Sequence, residues 1–218
     1  AFTAVDKAEE CYELADKING DGPTYLAKAS KENNAKLVHI STDYVFDGQG
    51  EVPWEPDCED YAPVNVYGKT KLEGELAVKE FVKKYFIVRI AWVFGKNGNN
   101  FIRTMLKVGK THDRLTVVND QIGTPTYTLD LARLLVEMIQ SEKYGCYHAT
   151  NEGGYISWYE FACEIFRQAA EMGYEAYDGK HLTVEPVSTA EYGVSKAERP
   201  SNSRLNKIKL TEQGFELL

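Results

Sequence analysis

Basic side chains are in the minority in this sequence: 25 Lys and Arg stand against 33 Asp and Glu, a formal net charge of −8. A nucleic-acid binder needs a basic face to neutralise phosphates, and this balance argues against one. Cysteine is scarce too. Cys11, Cys58, Cys146 and Cys163 are scattered with no CxxC spacing, which fits a reduced, cytoplasmic chain better than a disulfide scaffold. No apolar run approaches the roughly 18–20 residues that a membrane helix requires, and no signal peptide is visible, so no membrane partner is expected. Present instead are 218 residues with 43% hydrophobic content, enough for a sizeable core in one large domain or one and a half.

Periodicity predicts a helix in AVDKAEECYELADKI after Thr3 and a second in PTYLAKASKENN. AKLVHIST is a short β-branched run and a candidate buried strand. From Asp43 to Val66 the chain is rich in Gly, Pro and acids, a long irregular segment of the kind that carries function. VYGKTKLEGELAVKEFVKKY then predicts a helix and FIVRIAWVFG another buried strand. That order of strand, loop, helix and strand is the grammar of an α/β parallel sheet. Further on, helices are predicted in NNFIRTMLKVGK, TLDLARLLVEMIQSE and ISWYEFACEIFRQAAEMG, with short strands in DRLTVVNDQ, GCYHATN and LTVEPVS. A Pro-containing turn, SKAERPSNSRL, precedes a short helix at KIKLTEQG. The second half is more broken, as suits a small lobe packed on a main sheet.

The most informative spacing is Tyr67 to Lys71, four apart on one face of a predicted helix. A phenol is a poor acid near neutral pH unless a cation favours the phenolate, and Lys71 is placed to supply one. Such a pair can protonate a carbonyl oxygen as a hydride reaches its carbon. An ordinary surface Tyr and Lys is the bland alternative. Upstream, the strand LVHI ends in Ser41, Thr42 and Asp43, and hydroxyls at the carboxyl end of a parallel strand face the crevice where such sheets bind ligands. A capping hydroxyl is the alternative there. Strand-end hydroxyl, long loop and YxxxK helix together match the short-chain dehydrogenase/reductase superfamily.

Longer stretches narrow the resemblance. HISTDYVFDG, PVNVYGKTKLEGE, RIAWVFG with GNNF, DQIGTPTY followed by DLA, and RPSNSRL resemble the dTDP-4-dehydrorhamnose reductase family of extended short-chain reductases, with similarity running from Ala1 to about Gly214. The resemblance implies a Rossmann-like parallel sheet with a small C-terminal α/β substrate lobe. Residues 1–98 would be the remaining part of the NADP-binding domain, and 99–218 mainly the substrate lobe with the chain crossing back to the main sheet. It implies Tyr67 as catalytic proton donor, Lys71 holding the nicotinamide ribose and lowering the phenol's pKa, and Thr42 tuning the hydrogen bonding. Ala1, Phe2 and Thr3 would pass the cofactor by their backbone. Thr42, Asp43 and Trp92 would meet the sugar nucleotide, with Asn100 and Arg199 as further substrate contacts. The implied reaction is reduction by NADPH, with NADH the alternative, of the 4-keto group of dTDP-6-deoxy-L-lyxo-4-hexulose to dTDP-L-rhamnose.

Each of those residues also has a plainer reading. Trp92 could be a core-edge aromatic. Asn99 or Asn100 could be an N-cap, although a helix start there could also meet a diphosphate. Arg199 and Arg204 could grip a diphosphate as planar forks or form surface salt bridges. His39, inside a strand, reads as a satisfied core histidine. No histidine shows metal-ligand spacing and the acidic loop reads as solvated, so no metal is expected. A homodimer is left open.

The sequence shows no Gly-rich phosphate-binding turn between a strand and a helix. GQG at Gly48, GKNGNN at Gly95 and NEGGY at Asn151 lack GxxGxxG spacing and read as turns. The resemblance puts the glycine turn ahead of Ala1 and a last helix beyond Leu218, so the chain is expected to be a fragment, a poor NADPH binder alone, with strands lacking neighbours. Two competing functions stand beside the reductase: a non-catalytic regulatory protein on the same fold, similar to the methionine adenosyltransferase beta subunit, and a reductase or epimerase of another nucleotide sugar.

Overall fold

A computed structural model describes residues 1–218 and shows helices alternating with strands. In chain order the elements are α1 (Val5–Ala8), α2 (Tyr12–Asp16), α3 (Gly22–Glu32), β1 (Leu37–Thr42), α4 (Val66–Phe81), β2 (Tyr85–Ile90), β3 (Val93–Phe94), α5 (Phe101–Val108), β4 (Arg114–Val118), β5 (Ile122–Gly123), β6 (Thr126–Tyr127), α6 (Thr128–Gln140), β7 (Gly145–His148), β8 (Ile156–Ser157), α7 (Trp158–Glu171), β9 (Thr183–Val187), α8 (Thr189–Tyr192) and α9 (Ile208–Glu212).

The main sheet is parallel, in the order β1-β2-β7, with Thr42 opposite Ile90 and Arg89 opposite His148. Its strands are apolar on both faces because both are covered. Ile87 and Cys146 meet Ala27 of α3 and Val78 of α4 on one side. Phe86, Val88 and Tyr147 meet Leu131, Leu134 and Met138 of α6 and Leu210 of α9 on the other. Each such fully buried aliphatic or aromatic side chain contributes roughly 1.5–3 kcal/mol. A second apolar cluster lies apart, where Val117 of β4 and Ala162, Phe166 and Ala169 of α7 pack with Tyr177 and Leu182. Beside it β4 pairs in parallel with β9.

Two expected elements are broken. The single helix predicted after Thr3 is α1 and α2, separated by Cys11 at φ −131° and ψ 47°, and it runs on through a widened π-type turn at Lys17–Asp21. That turn carries Asn19 into the interior, where its side chain accepts from Phe2 N at 2.8 Å and donates to Phe2 O at 3.0 Å and to Thr70 Oγ1 at 3.2 Å. Periodicity cannot register it, because one inserted residue rotates the pattern without changing composition. Gly74 of α4 makes room: a Cβ there would stand 2.3 Å from Asn19 O. The strand expected over FIVRIAWVFG ends at Ile90, and Trp92, at φ 51°, turns the chain away so that β3 pairs with β6. No helix is long and apolar enough to cross a membrane.

Candidate active site

A cleft of about 830 Å³ opens at the carboxyl end of β1. Thr42 and Asp43 stand at the strand end, Tyr67 and Lys71 project from α4, and Ala1, Thr3, Trp92, Asn99 and Trp158 complete part of the wall. The start of α4 is held from several directions. Asn65 caps it, accepting from Gly68 N at 2.8 Å and donating its amide to Glu198 O at 2.7 Å. Gly68 permits the approach, since a Cβ there would fall 2.2 Å from Tyr44 O. The rings of Tyr44 and Tyr67 then meet edge to face at 5.6 Å.

The buried ionisable side chains of this wall are displaced from their ordinary ranges. Burial pushes Tyr67 up to about 12, against the Thr42 hydroxyl and with the Asp43 charge. Burial pulls Lys71 down to about 8, opposed by Glu75. Burial also raises Asp43 to about 6, and its Oδ2 has no hydrogen-bond partner while Oδ1 accepts from Thr42 Oγ1 at 2.9 Å. Lys71 Nζ donates to Ile40 O at 2.6 Å, and burial is the largest influence on the phenol.

Of the other anticipated positions, Ala1 and Thr3 line the cleft, whereas Phe2 commits both backbone groups to Asn19. Trp92 lies in the cleft wall, stacked on Trp158 with ring centroids 3.7 Å apart. Asn100 is not in the cleft wall. It caps α5, accepting from Arg103 N at 3.1 Å and donating to Gly95 O at 2.9 Å, and Asn99 occupies the wall instead. Of the two readings of Asn100, the structure shows the cap. Arg199 lines a neighbouring cavity of about 320 Å³, but its fork is taken by Asp6, at 2.8 Å from Nη2 and 3.1 Å from Nη1. Arg204 donates to Asn202 Oδ1. His39 is a core histidine but not a satisfied one: its Nε2 is buried without a partner, and burial draws its pKa down to about 3. Residue patterns did not single out Asn19 or Trp158. The Asn-Gly pair inside an otherwise helical pattern was the one local sign of the first, and nothing local marks the second. No group of three or more His, Cys, Asp or Glu side chains is arranged to hold a metal.

Parallel strands ending at a cleft walled by a phenol, an amine and a hydroxyl define a protein of the Rossmann-type α/β class. Comparison with known proteins narrows the class. Residues 1–217 match the family model described as the RmlD substrate binding domain. The spore coat polysaccharide biosynthesis protein SpsK of Bacillus subtilis is 42% identical, over 99% of this chain and 71% of its own. The dTDP-4-dehydrorhamnose reductase of Escherichia coli K12 is also 42% identical, over 100% of this chain and 72% of its own. A crystal structure of dTDP-4-dehydrorhamnose reductase from Bacillus anthracis in complex with NADP superposes with a TM-score of 0.90 at 43% identity, covering 100% of this chain and 73% of that one. The chain belongs to the dTDP-4-dehydrorhamnose reductase family.

Proposed function

We propose that this protein reduces the 4-keto group of dTDP-6-deoxy-L-lyxo-4-hexulose to dTDP-L-rhamnose at the expense of NADPH, in the cytoplasm. The observation that carries this reading is the meeting of Thr42, Tyr67 and Lys71 in one cleft wall. The family's reductases, and the relative that holds NADP, support the substrate and the cofactor.

The cleft suits the nicotinamide end of such a cofactor: Lys71 and the backbone of Ala1 and Thr3 would hold it there, and no residue is assigned to its phosphates. When bound, the reduced nicotinamide supplies the two electrons and the hydrogen that the carbonyl carbon takes up. Tyr67, raised to about 12, is fully protonated at neutral pH and keeps a proton ready for the carbonyl oxygen. Lys71, at about 8, is mostly charged at neutral pH and favours the phenolate once that proton has left. Thr42 hydrogen-bonds the same oxygen, exchanging its present bond to Asp43. The stacked Trp92 and Trp158 offer an apolar wall to a sugar face. Residues 99–218 serve mainly as the substrate lobe, with the segments around α6, β7 and α9 returning to the main sheet of the 1–98 part.

A coupled assay offering the dTDP-4-keto-6-deoxy sugar with NADPH and, separately, NADH tests the proposal on the intact protein. Cofactor oxidation that depends on the sugar and prefers NADPH is expected. Oxidation with neither cofactor would overturn the reductase reading in favour of a regulatory protein on this fold.

A further inference from the structure

Beneath the cleft lies a charged core that the chemistry above does not use. Arg89, the penultimate residue of β2, and Glu75 of α4 are both fully buried. The guanidinium grips the carboxylate with two nitrogens, Nε to Oε1 at 2.9 Å and Nη2 to Oε2 at 2.7 Å. Its other donors reach into the irregular segment between β1 and α4: Nη1 donates to Pro56 O at 3.1 Å and Nη2 to Tyr61 Oη at 3.2 Å. Phe46 lies against it, 5.0 Å from ring centroid to Cζ. One side chain thus binds α4, the strand it stands on and the long segment 47–62.

Tyr67, Lys71 and Glu75 follow one another at intervals of four, on one face of α4. The rotation of that helix is set at its start by Asn65 and nearly three turns later by Glu75. A buried ion pair is a poor device for stability, because apolar residues of the same volume serve as well or better. What a two-pronged grip does supply is a single orientation.

We propose that Arg89 is a positioning residue: through Glu75 it fixes the rotation of α4 that presents Tyr67 and Lys71 to the cleft, and through Pro56 and Tyr61 it holds the segment 47–62 against the same helix. The proposal rests on the reductase reading of the cleft. The ionisable groups around Lys71 are Tyr67 and Glu75 on its own helix and His39 and Asp43 on β1 and its end. Glu75 is the group that favours the charged amine.

Three variants of the intact protein test it. Glu75→Leu with Arg89→Met removes both charges together and strands neither. Glu75→Gln keeps the volume but offers the fork one acceptor instead of two, and Arg89→Lys keeps the charge without the fork. With folding checked by thermal unfolding, kcat is expected to fall about 10- to 100-fold in the double variant, as for a small misplacement of reacting groups, while KM for the sugar nucleotide and NADPH stays within about twofold. Arg89→Lys does not restore kcat, and the Lys71 titration, followed by NMR of labelled lysine, moves to lower pH. Wild-type kcat in the folded double variant overturns the proposal, because the loss of the Glu75 charge alone moves the Lys71 titration. Should that variant not fold, Arg89→Lys, which keeps both charges, decides: wild-type kcat with an unmoved Lys71 titration overturns the proposal. Failure of the wild type to oxidise NADPH with the sugar would instead defeat the reductase reading, and the Lys71 titration in Arg89→Lys, which needs no substrate, would still judge Arg89.

Discussion

The two halves of the chain treat charge in opposite ways. Every buried Asp, Glu, Lys or Arg lies between residues 43 and 89: Asp43, Lys71, Glu75 and Arg89. Beyond residue 98 none is buried, and charges there meet at the surface, as where Arg167 bridges Glu164 at 2.6 Å on the open face of α7. Yet the larger cavity lies in the second half, a groove of about 940 Å³ between α5 and α7, compared with about 830 Å³ for the cleft. Size therefore does not locate the chemistry. Burying an ion costs free energy that folding does not recover by itself, so a concentration of such groups around one cleft points to use.

The strongest way to break this comparison is Tyr67→Phe, which removes one hydroxyl from the charged half. Turnover is expected to drop by about 10²–10⁴, the usual contribution of a positioned proton donor, while NADPH affinity stays nearly unchanged by titration. Near-normal turnover would take Tyr67 out of the acid role and leave its burial unexplained. Next in size is the contrast between two arginines. Arg89→Met leaves Glu75 buried and unpaired, a loss of about 3–5 kcal/mol, whereas Arg167→Met on the open face of α7 should leave the denaturation midpoint where it was. Urea unfolding of both variants measures the difference, and equal effects would end the distinction between the halves.

Much of this arrangement was legible in the residues themselves. Leu37–Thr42 and the helix beginning at Val66 stood out because a β-branched run and an apolar stripe are local patterns. Local signals also placed Tyr67 and Lys71 on one helical face. They could not show which way the amine of Lys71 turns, since Ile40 O, its partner, is 31 residues away. Burial, the largest influence on the Tyr67 phenol, is likewise a property of the whole fold that no spacing shows. Asn100 and Arg199 show the reverse difficulty, as a cap and a fork look the same in a sequence whether they meet protein or ligand.

Two aspartates sharpen the comparison through pH. Asp43 is raised to about 6 from 3.8, so the folded state holds its proton longer than the unfolded state. Stability from this group is therefore lost as pH rises from about 4 to 6, by about 3 kcal/mol if the whole shift is expressed. Asp6, paired with Arg199, is lowered from 3.8 to about 2. Its contribution is present above about pH 4 and is lost as pH falls towards 2, and its side chain is 44% exposed, so solvent weakens it. Urea midpoints across this range should show Asp43→Asn flattening the decline between pH 4 and 6, and Asp6→Asn leaving it in place. The same slope in wild type and Asp43→Asn would mean that Asp43 is not strained by burial.

The smallest effect separates a structural asparagine from a ligand-binding one. Asn100 belongs to the half that buries no charge, and its carboxamide is already spent on Arg103 N and Gly95 O. Asn100→Ala should lower stability by about 1 kcal/mol, the ordinary cost of a lost N-cap, with KM for the sugar nucleotide unchanged. Asn99→Ala should do the opposite, because Asn99 lines the cleft and leads into the helix without capping it. A rise in KM for Asn100→Ala at unchanged stability would return that residue to the substrate and extend the part of the cleft that Asn99 and Trp158 of the second half already line.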